Sequence, residues 1–149
     1  MMDKVELKNA REALSESAQI EVLTQGNSMA PLFKEHRDIA VIKRPENPLK
    51  KGDIVLYTRN DESFVLHRIV RIKGEELVIR GDNNLNLERD IKADNIIGVL
   101  TALYRNGKYM QADSFIFKLF GILSTLRFPF IYVYRKVKQF LWKKLKAER

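Results

Sequence analysis

The chain has 149 residues, a formal net charge of +8, 45% hydrophobic residues and no cysteine. That length accommodates one domain with an appendage. The lack of cysteine excludes a disulfide framework, a thiol nucleophile and a thiolate metal site, and with His36 and His67 as the only histidines a histidine-rich zinc centre is excluded too, so no cofactor is expected.

Residues 1–17 are charged and polar without an apolar run, which predicts neither a secretory signal nor an N-terminal membrane anchor; a helix is expected over about residues 3–16. Gln19-Ile20-Glu21-Val22-Leu23 alternates polar and apolar residues, as a half-buried strand does, and runs into Gly26-Asn27-Ser28-Met29-Ala30-Pro31-Leu32-Phe33. Gly26 lets the backbone turn sharply and Pro31 stops a helix from continuing, so Ser28 stands at a strand end as a potential nucleophile or as an ordinary turn residue. Met29 packs beneath it, lines a groove or fills the core; His36, in a polar stretch, receives no role.

Further strands are expected near residues 38–43, 53–58, 64–72, 76–80 and 96–104, with loops at 45–48 and 60–63. Asn106-Gly107 is a two-residue hairpin signal leading into Lys108-Tyr109-Met110. No repeat or low-complexity tract interrupts the pattern, and the architecture reads as mainly antiparallel β with helical ends.

His67 lies inside the β-branched run Leu66-His67-Arg68-Ile69-Val70, and Asp82 follows the short strand Leu77-Val78-Ile79 in Arg80-Gly81-Asp82-Asn83-Asn84. Ser, His and Asp thus occupy three strand-end settings. Each alone has a bland reading, His67 as a packed core residue and Asp82 as a turn residue bonding its own backbone. Together they supply what amide hydrolysis needs: a nucleophile, a base titrating near neutrality and a carboxylate to fix the base's tautomer.

These segments, with Lys51-Gly52-Asp53-Ile54-Val55-Leu56-Tyr57 and Ile96-Ile97-Gly98-Val99, resemble the signal peptidase I family and the related self-cleaving domains of LexA-type repressors across roughly residues 20–104. The resemblance implies an antiparallel LexA/signal-peptidase-like β fold and a serine endopeptidase that cuts a leader or signal segment after a small residue. Where most bacterial signal peptidases and LexA-type proteins place a lysine base, this chain has His67, as do the endoplasmic-reticulum type and its archaeal relatives. The eukaryotic-type enzymes carry a second acidic box shortly after the Gly-Asp-Asn-Asn element; here that stretch is Leu85-Asn86-Leu87-Glu88-Arg89-Asp90. The orienting acid is accordingly expected at Asp82, then Asp90, with Glu88 ranked well below both. Gly26 stands where signal peptidases tend to have a serine that assists the oxyanion, which leaves that role to backbone N–H groups, that of Ser28 among them.

Residues 113–149 carry nine basic and two acidic side chains, +7 of the total +8. Phe130, Val133, Tyr134, Val137, Phe140, Leu141 and Leu145 recur at helical spacing on one face, with Trp142 as an interfacial residue, so this segment is expected as amphipathic helices attached peripherally to an anionic membrane. The apolar stretch 115–126 is short for a span, and extending it brings in Lys118, Arg127 and Pro129; packing against the protein's own domain or an oligomer partner, and a true span, stay open beside peripheral attachment. The sequence therefore divides into a peptidase domain, 1–112, and a basic, aromatic-rich segment, 113–149. Two other function classes stay open: a non-catalytic membrane- or nucleic-acid-binding module on the same fold, and a self-cleaving regulator. The aromatic-basic spacing suits an interfacial helix better than base stacking, so no nucleic-acid partner is expected. The 27 residues ahead of Ser28 are expected to be too few for a helix-turn-helix domain plus a cleavage segment.

Overall fold

Period-two alternation along the chain becomes a sheet of eight strands, every pair antiparallel, in a computed structural model that describes residues 10–59 and 63–147. After helix α1 (Ala10–Glu16) come β1 (Gln19–Leu23), β2 (Asp38–Lys43), β3 (Ile54–Thr58), β4 (Phe64–Lys73), β5 (Glu76–Arg80), β6 (Glu88–Lys92), β7 (Ile96–Arg105), β8 (Lys108–Gln111) and a long helix α2 (Phe115–Ala147). The spatial order is β1-β2-β7-β3-β4-β5-β6, with β8 paired to β7. Asn106 and Gly107 both have positive φ, as a two-residue hairpin turn requires, and they join β7 to β8. The mainly β architecture expected from the sequence is the one found. The N-terminal helix begins at Ala10 among the described residues, and the expected loop at 60–63 falls mostly outside them.

Two clusters of apolar side chains sit on opposite faces of β3. Ile54 and Leu56 point into one with Leu14, Met29, Leu32, Phe33, Ile42, Leu103 and Phe117; Val55 and Tyr57 point into the other with Ile69, Leu77, Ile79 and Ile96. A strand buried on both faces reads as a continuous apolar run, which is why Ile54-Val55-Leu56-Tyr57 lacks alternation. Pairing registers slip at Val41/Ile42, Leu56/Tyr57, Ile69/Arg71 and Leu77/Ile79. Such bulges sharpen the local twist and curl a broad sheet around its core.

Helix α2 departs from expectation. It runs unbroken for 33 residues, about 50 Å at 1.5 Å per residue, through Pro129. Its first turns dock on the sheet: Phe117 is 2% exposed, Ser124 is buried, and Phe120 packs against the first cluster. The second half leaves Val133, Tyr134, Val137, Phe140, Leu141 and Trp142 exposed. The 115–142 stretch has the length and apolar composition of a membrane-crossing helix and is mostly unburied.

Candidate active site

The nucleophile loop is pinned at both ends. At its far end Asp38, wholly buried, accepts from the Arg37 and Arg105 guanidiniums and from the Lys34 N–H, while Thr24 donates to the Asp38 carbonyl. Burial would raise the Asp38 pKa, but the hydrogen bonds and the two guanidiniums outweigh it and hold the carboxyl well below the ordinary range. Arg105 also donates to the Leu32 carbonyl, tying the loop to β7. At the near end Asn83 N–H donates to the Ser28 carbonyl at 2.8 Å, Asn83 Nδ2 donates to the Asn27 carbonyl at 3.2 Å, and the Asp82 N–H faces Met29 Sδ at 3.4 Å. Met29, Leu32 and Phe33 are buried beneath, leaving Ser28 partly exposed above them.

His67 sits on β4 opposite Val55 and is 1% exposed. Its Nδ1 lies 3.1 Å from Glu88 Oε1 and 3.2 Å from the Tyr57 hydroxyl. An ionised carboxylate only accepts, so Nδ1 carries the proton and Nε2 keeps its lone pair. Nε2 faces the Ser28 loop across Gly81: a Cβ built on Gly81 would lie 2.6 Å from the Ser28 carbonyl oxygen and 2.9 Å from His67 Nε2. His67 Nε2 and the Ser28 carbonyl oxygen are separated by no more than those two distances end to end. Among the described residues the Ser28 hydroxyl makes no hydrogen bond, as in many unliganded sites where the catalytic contact tightens only around substrate.

Burial, the strongest influence, pushes the His67 pKa below its ordinary value, and Arg59 pushes the same way against the opposing charge of Glu88. Glu88 is held low in turn. Burial alone would raise it, but Arg59, whose Nε donates at 2.7 Å, and the Tyr57 hydroxyl favour its ionised form. At neutral pH the site therefore holds a neutral imidazole against a carboxylate, the protonation pattern a general base needs.

The three carboxylates weighed from the sequence fall in different places. Asp82 accepts from Arg68 Nε at 2.8 Å, Arg68 Nη2 at 2.7 Å and Ser124 Oγ at 3.0 Å, so its oxygens are turned toward Arg68 and α2 and away from His67 Nδ1. Asp90 is exposed on β6 with a φ of 61°. The expectation that Asp82 or Asp90 meets the imidazole is corrected by this geometry, which puts Glu88 there. The reason is register: β6 pairs with β5 with Glu88 opposite Ile79, and the strand edge carries the Glu88 side chain back over β4 and β3. Tyr57, Arg59, Arg68 and Ser124 were not foreseen. For Tyr57 a signal existed, since it stands two residues from Val55 and so lies diagonally across from His67 on β4. No group of residues able to hold a metal ion occurs among the described residues.

The family model described as Peptidase S24-like matches residues 6–101. The chain belongs to the Peptidase S24-like family. Membership places it in the LexA/signal-peptidase superfamily and carries a serine-peptidase type of function. Comparison with curated proteins gives no match. The S24-like region contains Ser28, His67 and all three carboxylates, and it stops within β7, short of β8 and α2.

Proposed function

We propose that this S24-like chain is a serine endopeptidase of the signal-peptidase type, in its Ser-His form, which cuts a leader or signal segment after a small residue. The observation that carries the reading is the imidazole of His67, with Glu88 at Nδ1 and Nε2 turned to the Ser28 loop. Ser28 Oγ attacks the scissile carbonyl as Nε2 takes its proton; Glu88 stabilises the imidazolium; the same proton passes to the leaving amine, and a water then repeats the sequence to release the acyl group. The Ser28 N–H, which makes no hydrogen bond among the described residues, is the donor proposed for the oxyanion. Among the described residues β1 pairs with β2 at the end of the sheet and runs into the Ser28 loop, which suits an extended substrate held beside that loop.

The test is covalent labelling of Ser28 by a fluorophosphonate, with peptide cleavage measured in parallel. Ser28→Ala and His67→Ala are each expected to lose nearly all cleavage while keeping wild-type circular dichroism. Cleavage at the wild-type rate in either variant would reject the mechanism. The family match also supports a second reading, a self-cleaving regulator of the LexA kind; the intact mass of the purified wild-type chain beside Ser28→Ala separates the two, because a self-cleaving chain would shorten only in the wild type.

Peripheral attachment to anionic membrane through α2 is the partner proposed for the non-catalytic surface. Its support is the exposed row Val133, Tyr134, Val137, Phe140, Leu141 and Trp142 on a segment that holds +7 of the net charge.

A further inference from the structure

Helix α2 lies outside the S24-like match, yet it borders the candidate site on two sides. On one side an apolar cavity of about 420 Å³ is bounded by Pro31 of the nucleophile loop, by Asp82, and by Phe120, Leu123, Leu126 and Phe130 of α2. On the other a polar hollow joins Arg59, Asn84, Asn86 and Glu88 to Gln139, two turns and more further along the same helix. Each hollow adjoins one member of the Ser-His pair: Glu88 of the polar hollow meets His67 Nδ1, and Pro31 of the apolar cavity stands three residues from Ser28.

We propose that α2 is a wall of the substrate cleft and that the apolar cavity receives a large apolar side chain of the peptide being cut. The proposal rests on the peptidase reading above. Three observations favour a substrate residue as the occupant. The cavity is continuous with the catalytic loop through Pro31, so a peptide bond brought to Ser28 carries its neighbours past the cavity mouth. Its volume falls in the range of ligand pockets and is far greater than the methyl-sized residue expected at the cut itself requires. Its floor is fixed: Asp82 is clamped by Arg68 and Ser124, and Gly121 lets α2 approach so closely that an added Cβ would come within 3.1 Å of Arg68 Nη1. A preformed cavity with a rigid floor and side chains of Leu, Phe and Pro at its mouth discriminates by size and apolarity.

The test is a proteome-derived peptide library digested by the full-length wild-type chain and by Leu123→Arg and Leu126→Arg, whose side chains are half exposed or more and so carry little of the fold. Cleavage by the wild type should favour Leu, Ile, Phe or Met over Gly or Ser by about tenfold or more at one fixed position away from the scissile bond. Both variants should lose that preference, cutting the apolar-bearing peptides about tenfold or more slowly, while the cuts they still make fall after small residues. Wild-type cuts showing no apolar position, or a preference unchanged in both variants, would overturn the proposal and leave the peptidase reading standing. A wild-type chain that cuts nothing and is not labelled at Ser28 would overturn both.

Discussion

Replacing Glu88 by Gln keeps the side chain's shape and removes the charge that faces His67 Nδ1. If Glu88 orients the imidazole, Glu88→Gln should slow cleavage by about 10⁴-fold, the size of effect seen when a triad carboxylate is made an amide. The pH profile gives an independent reading. The active base is the neutral imidazole, present above its pKa and lost as pH falls through it. Burial and Arg59 depress that pKa, so the acid limb of kcat/KM should lie below about 6.5. Glu88 raises it, so Glu88→Gln should move the limb lower still while the rate falls; a limb displaced upward would show that another group is being titrated. Asp82→Asn should act differently, by leaving the Arg68 guanidinium buried without its counter-charge, a loss of roughly 3–5 kcal/mol read from denaturant unfolding. Asp90→Asn should leave both stability and rate near wild type, since the side chain is exposed and Asn tolerates positive φ. The placement of Ser28 and His67 near one another is suggested by the sequence because each is marked by its neighbours, a Gly-x-Ser turn and a β-branched run. The acid is not, because Asp82 and Glu88 are chosen between by a strand pairing that no local pattern announces.

Most strands are visible as apolar runs, and their observed ends differ from expectation by a residue at most. β6 was missed for a physical reason: Glu88-Arg89-Asp90-Ile91-Lys92 has a single apolar residue and becomes a strand only through its backbone bonds to β5 at the sheet's edge. The docking of α2 is one of the alternatives that the sequence leaves open, for the converse reason. Its apolar residues are spaced for a helix face, but periodicity does not say whether that face meets lipid or protein, and here the first turns meet the sheet through Phe117, Phe120 and Ser124. Truncation after Gln111 should therefore cost more than an appendage would. It removes a fully packed Phe117, whose replacement by Ala alone should cost about 3–5 kcal/mol, and it strips Ser124 from Asp82. A chain ending after Ile131 should unfold near the full-length midpoint; equal stability of both truncations would show that the docked turns contribute nothing.

Charge is divided across the molecule much as stability is. The net positive charge lies mainly beyond the docked turns, so full-length protein should sediment with liposomes containing phosphatidylserine and be partly released by high salt, since each Lys or Arg near such a surface contributes about 1 kcal/mol that ions screen. The chain ending after Ile131 should stay in the supernatant. Equal binding to neutral liposomes would assign attachment to the apolar face alone. Global stability carries its own pH signature: the Asp38 carboxyl is depressed in the folded state, so the stability it contributes is present above the ordinary carboxylate pKa and declines as pH falls below about 4. Asp38→Asn should flatten that decline in a urea series between pH 5 and pH 2.

The proposed reacting groups all lie within residues 6–101, while the proposed outer wall of the cleft comes from a helix beyond that match. Chemistry and selectivity are thus assigned to separate stretches of chain. A relative could exchange its C-terminal helix and acquire a new diet without altering how it breaks a bond, provided the replacement kept two fastenings, an aromatic plug at position 117 and a hydroxyl at position 124.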